Sequence, residues 1–97
     1  MKIPKKINIG GIAFKVQFVK FDADDYGRMD FDQRLILLNH SIKHNLPMVI
    51  ETLRHEMVHA ALAVGGVSFS VEYDEEVIVR CLDSLFFPAW DKLTKRS

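Results

Sequence analysis

The hydrophobic pattern changes period near the middle of the chain, and that change limits the fold more than any single residue does. Before about residue 39, apolar side chains alternate: Ile12, Phe14, Val16 and Phe18 are separated by Ala13, Lys15 and Gln17. A repeat of two puts one set of side chains on one face of a strand. Ile7 and Ile9 precede Gly10-Gly11, a pair suited to the positive φ of a two-residue hairpin turn. Residues 22–27 read as an acidic turn and 28–32 as a short strand. The continuous apolar run 35–38 reads as a strand covered on both sides or a little-exposed edge. From Pro47, which suits a first helical position, Val49, Ile50, Leu53, Met57, Val58, Ala61 and Leu62 recur at three-and-four spacing as far as Gly65-Gly66. A second helix is predicted from Tyr73 or Asp74, with Glu75 and Glu76 in its first turn. Ile78, Val79, Leu82, Leu85 and Phe86 form its apolar face, and Pro88 ends or kinks it. Strands followed by helices predict an α+β fold: a small antiparallel or mixed sheet of three to four N-terminal strands packed on two C-terminal helices.

The 97 residues leave room for one core, so 1–97 is expected to be a single domain. A hydrophobic share of 48% and ten aromatic residues exclude a disordered chain. Thirteen basic residues balance thirteen acidic ones, so neither nucleic acid nor an anionic membrane is an expected partner. The lone Cys81 implies no internal disulfide. No apolar run approaches the roughly 20 residues of a membrane span, and no leader pattern is seen at the start. The expected compartment is the cytoplasm.

The informative residues are His55-Glu56-Met57-Val58-His59, an H-E-x-x-H pattern within the first helix. Four residues carry a helix through about 400°, so His55 and His59 share one face a turn apart and can both reach one tetrahedral metal. Glu56, about 100° round from His55, flanks the metal and is placed to take a proton from metal-bound water as general base. A catalytic zinc needs a third protein ligand, and the second helix offers Glu72, Glu75 and Glu76. On a helical wheel Glu75 lies within about 40° of Val79, Leu82 and Phe86, whereas Glu76 projects beside Asp83 toward the rim. Glu75 is therefore the favoured ligand and Glu76 the alternative. An irregular helix start would bring Glu76 inward instead.

The segment 52–60 resembles the active-site helix of zincin metallopeptidases. The later stretch 74–80 is similar to the glutamate-bearing helix of small phage- and prophage-type members related to the ImmA/IrrE type, gluzincins with a downstream Glu as third ligand. The approach through Ile9-Gly10-Gly11-Ile12, then Gly27, then the strand 35–38 fits the same pattern. The resemblance implies a small sheet packed on two helices, one zinc ion per chain, and hydrolysis of peptide bonds in a peptide or protein substrate. It also implies an extended substrate held along a sheet edge, here the 35–38 strand or its neighbour. Oligomeric state is left open by the sequence.

Other patterns point to weaker chemistry. Asp22, Asp24, Gly27 and Asp30 match four positions of a calcium loop, but Tyr26 and Gln33 break it and an acidic turn is the plainer reading. His40 and His44 read as solvent-facing, with Tyr73 and Arg80 as further oxyanion candidates. Cys81 reads as core packing. Phe86, Phe87 and Trp90 read first as a hydrophobic cluster and second as a partner-binding patch. The rival class is a non-catalytic metal- or partner-binding module, closed by a fourth ligand from His40, His44, Cys81 or one of the other acids.

Overall fold

The computed structural model describes residues 2–21, 24–66 and 74–94. It is an α+β domain with a four-stranded mixed sheet and two helical arms. The strands are β1 (Lys6–Ile9), β2 (Ile12–Val19), β3 (Gly27–Asp30) and β4 (Leu35–Asn39), in spatial order β1-β2-β4-β3. A 3-10 turn, His40–Ile42, leads to α1 (Leu46–Val64). The second arm is α2 (Glu75–Cys81), a π-helical turn (Leu82–Phe86) and α3 (Phe87–Thr94). No helix among the described residues is long and apolar enough to cross a membrane.

Gly10 and Gly11 take φ of +59° and +86°, the pair of left-handed residues that a tight hairpin between β1 and β2 demands. Gly10 also has no room for a side chain: a Cβ there would lie 2.9 Å from Val64 Cγ1 at the end of α1. After β2 the chain continues to β3 at the far edge and turns back to lay β4 between β3 and β2. Thus β4 runs parallel to β2, with Val16 opposite Ile36 and Phe18 opposite Leu38. The strand predicted at 28–32 is displaced to Gly27–Asp30, because residues 31–34 form the turn into β4. Asp30 anchors that turn by accepting a hydrogen bond from the Gln33 amide, 3.0 Å.

The apolar run 35–38 is neither an edge nor covered on both faces. It is flanked by strands on both sides, which hides its backbone, while only one face lies under a helix. Ile36 and Leu38 are fully buried on that face, and Leu35 and Leu37 remain half-buried on the other. The core joins Phe14, Val16, Ile36 and Leu38 of the sheet to Val49, Leu53 and Ala60 of α1.

Asn45 caps α1, accepting from the Met48 amide at 3.2 Å, and Pro47 occupies the second helical position rather than the first. Gly66, at φ +79°, ends the helix after Gly65. In the second arm Asp74 caps α2 through the amides of Glu76 and Val77. Pro88 does not end this arm. It can donate no hydrogen bond to the preceding turn, and the widened turn before it, where the Phe87 amide reaches back to Leu82, accommodates the loss. The extra residue rotates α3 by about 100° relative to a continuous α-helix. Phe87 and Asp91 thereby face α1: Arg54 Nη1 donates to Asp91 Oδ2 at 3.1 Å, and its guanidinium lies 4.3 Å from the Phe87 ring centre. Within α2 only Val79 is buried. Cys81 is exposed, contrary to the expectation of core packing, because it lies away from the Val79 stripe.

Ile36→Ala, which empties a fully buried site, is expected to cost about 2–5 kcal/mol. Cys81→Ala should stay within about 0.5 kcal/mol. Urea unfolding of both variants measures the contrast, and the wild-type thiol should react with a disulfide reagent without unfolding.

Candidate metal centre and cleft

The buried stripe of α1 is Val49, Leu53, Glu56, Ala60 and Ala63, a regular four-three repeat with a carboxylate at its centre. His55 and His59 stand beside that stripe, on the flank facing α2. Their Nε2 atoms approach within 3.3 Å. Each Nδ1 is held by a carboxylate from the other arm: His55 by Asp83 at 2.5 Å and His59 by Glu75 at 2.6 Å. If each ring donates its Nδ1 proton, as these contacts favour, the neutral rings turn two bare Nε2 lone pairs toward each other. Into the same space comes Glu76, with carboxylate oxygens 3.4 Å from His59 Nε2 and 3.7 Å from His55 Nε2. Three electron-rich atoms converging this way repel unless a cation lies among them. One ligand atom from each of the three residues lies within 4.8 Å of the others. Tetrahedral coordination with bonds of about 2.0–2.1 Å separates ligand atoms by about 3.3–3.4 Å, so the donor set fits a zinc-sized ion.

Glu76, the alternative on the wheel, and not the favoured Glu75, approaches the paired Nε2 atoms. The wheel takes the mean apolar direction of the helix as its inward side. In the structure Phe86 is 51% exposed and Ile78 and Leu82 are half-buried, so that direction is not the docked one. The inward residue is Val79. Glu76 and Asp83 lie about 60° and about 40° to one side of Val79, the side that meets His55 and His59, and Glu75 about 40° to the other. Glu75 lies on the flank, where it meets the outer nitrogen of His59.

Glu56 is buried at 8% exposure, and its carboxylate has no hydrogen-bond partner among the described residues. Burial raises its pKa above 4.5, against the pull of His55 and His59 and with the help of Glu76 and Asp25. The strand edge comes very close to it. A Cβ on Gly27 would lie 2.6 Å from Thr52 Cγ2 and 3.1 Å from Glu56 Oε2. Gly27 is therefore a close-approach glycine, its function in the sequence hidden by the surrounding turn composition. Asn39, also missed, secures the segment before it. Its Nδ2 donates to the Asp25 carbonyl at 2.8 Å, and its amide donates to the Tyr26 carbonyl at 2.7 Å. A polar Asn closing an apolar strand is the signal that could have found it.

These elements frame an open cleft of about 550 Å³. Asp25, Tyr26 and Gly27 line one side, Glu51, Thr52, His55 and Glu56 the floor, and Asp83, Pro88 and Asp91 the other side. The remaining sequence candidates lie elsewhere. His40 and His44 are exposed on the turns before α1, and Arg80 and Cys81 line a shallow depression apart from the cleft. Glu72, Tyr73 and Asp22 fall outside the described residues. Asp24 and Asp30 form no calcium loop, since the strand β3 begins between them at Gly27. Phe86 and Trp90 stack at 6.2 Å on the surface, half exposed. Compared with protein-family models, with curated proteins and with solved structures, the chain has no match.

Glu76→Ala and His59→Ala should each abolish stoichiometric zinc binding, whereas Asp83→Asn, which weakens the support of His55, should lower affinity about 10–100-fold. Competition titration against a chelator measures all three, and an unchanged affinity for Glu76→Ala would remove it from the ligand set. In the metal-free protein, Glu56 has a folded pKa above its unfolded one. Its stabilising contribution is thus complete below about pH 4.5 and is lost as pH rises through the folded value. Metal-free Glu56→Gln should therefore be more stable than wild type at pH 7, because it buries no charge, and should lose that advantage near pH 4. Denaturant unfolding at the two pH values reads the difference.

Proposed function

We propose that the protein is a zinc-dependent metallopeptidase. One observation carries the reading: two imidazole nitrogens 3.3 Å apart and the Glu76 carboxylate converge beside a buried carboxylate that has no hydrogen-bond partner among the described residues, on the floor of an open cleft. His55, His59 and Glu76 would hold the ion, which when bound supplies a Lewis acid for the scissile carbonyl and acidifies water. Asp83 and Glu75 fix the two imidazoles in the tautomer that leaves Nε2 free to ligate. Glu56 accepts the proton of the attacking water on its carboxylate and returns it to the departing amine nitrogen. A raised pKa suits that exchange, because a base too weak to hold the proton could not deliver it.

The family resemblance of the helix pair adds an expectation for the substrate. The strand 35–38 lies inside the sheet, but its neighbour β3 is an edge strand, paired with β4 alone among the described residues. An extended peptide could add to that edge by main-chain hydrogen bonds, with Gly27 bringing it close to Glu56. The alternative of a closed, non-catalytic metal module draws no support from its three non-acidic donors. Among the described residues the metal group has three members, and neither His40, His44 nor Cys81 belongs to it.

Glu56→Gln should retain one zinc per chain and the fold, yet lose peptide hydrolysis by about 10²–10⁴-fold. The activity is sought with a mixture of peptides, products being identified by mass spectrometry. Equal turnover by the variant would move the base to another residue.

A further inference from the structure

The chain as a whole is neutral, but the cleft is not. Five carboxylates line it, from Asp25, Glu51, Glu56, Asp83 and Asp91, against a single arginine, Arg54. Three of the five are engaged. Asp25 pairs with Arg28 at 3.6 Å, Asp83 with His55, and Asp91 with Arg54. That leaves two, and they differ in kind. Glu56 is more than nine-tenths buried, opens onto the cleft, and has no hydrogen-bond partner among the described residues. Glu51 is exposed, forms no ion pair or hydrogen bond through its side chain among the described residues, and lies one helical turn before His55 on the same face.

Taking Glu56 as the base, as the peptidase reading does, Glu51 is the carboxylate with no assigned task. Four residues of helix separate it from His55 by about 6 Å along the axis, the length of about two residues of extended peptide. Tyr26, half exposed, lines the opposite side of the same cleft and offers an aromatic face to a cation. We propose that the cleft selects a peptide with a lysine or arginine within about two residues of the bond at the metal centre, and that Glu51 recognises its charge. This deepens the peptidase reading and rests on it. A basic side chain would meet an unpaired carboxylate in a negatively charged trough, and an acidic one would be repelled by every charged lining group except Arg54 and the centre itself.

The test is direct binding, independent of turnover. Zinc-loaded Glu56→Gln protein is titrated with three fluorescent decapeptides, identical except for a central Lys, Leu or Glu, and anisotropy is recorded at low and at high NaCl concentration. The Lys peptide should bind at least about fivefold more tightly than the Glu peptide at low salt, with the gap narrowing at high salt. Adding Glu51→Lys should reverse the order, and Glu51→Gln, a milder surface change, should shrink it. Equal binding of the three peptides would overturn the inference and leave the peptidase reading standing. A Lys preference that persists in both Glu51 variants would also overturn it. Failure of all three peptides to bind would overturn the inference together with the extended-peptide expectation, while zinc content would still report on the metal centre.

Discussion

A carboxylate occupies a position that the packing of α1 on the sheet would otherwise give to an apolar side chain, and much of the site follows from that placement. Glu56 sits between Leu53 and Ala60 on the buried stripe. Burying an ionisable group there has a cost, which is visible in its raised pKa. The cost is tolerable because the carboxylate is not sealed in the core: it opens onto the cleft, and Gly27 opposite contributes no side chain to cover it. Position and chemistry are therefore one arrangement. Any side chain at Gly27 would meet Thr52 and Glu56 first, so the close approach of strand and helix at this carboxylate depends on a missing Cβ.

The fold is legible where the sequence pattern is local. Alternation in β2, the Gly10-Gly11 hairpin, the Gly65-Gly66 stop of α1 and the acidic start of α2 are all set by a few neighbouring residues, and all are present. What is not legible depends on partners far away in sequence. The pairing of β4 with β2 as a parallel neighbour requires the chain to travel out to β3 and return, and periodicity carries no such information. Pro88 reads as a stop or a kink because an α-helix resists carrying it in mid-course. The π-helical turn before it is a tertiary solution, and its effect is to bring Phe87 and Asp91 round to Arg54.

The candidate site divides in the same way. His55, Glu56 and His59 are fixed relative to one another by helix geometry, so their spacing is readable without a structure. Choosing between Glu75 and Glu76 needs the direction in which α2 docks, and the mean apolar face misses it because Phe86 is half exposed and the docked residue is Val79. On the wheel Asp83 is only a neighbour of Glu76 on the rim. The rim and the side that meets His55 and His59 are the same side, which is why both acids reach the two imidazoles.

The docking of the second arm depends on the same residues. Val79 is the only residue of α2 buried in the core. Polar contacts to α1 among the described residues run in opposite sequence order: His59 to Glu75 and Glu76, His55 to Asp83, Arg54 to Asp91. The two arms are therefore antiparallel, and a ladder of charged contacts runs beside the buried Val79. With both rings donating through Nδ1, the two Nε2 atoms and the Glu76 carboxylate form the rung of that ladder without internal compensation. A cation at that rung would stabilise the metal centre and the docking of α2 through the same contacts, since its ligands come from both arms. On the proposed reading, binding and assembly would thus draw on one set of interactions, because the three candidate ligands, His55, His59 and Glu76, come from both arms.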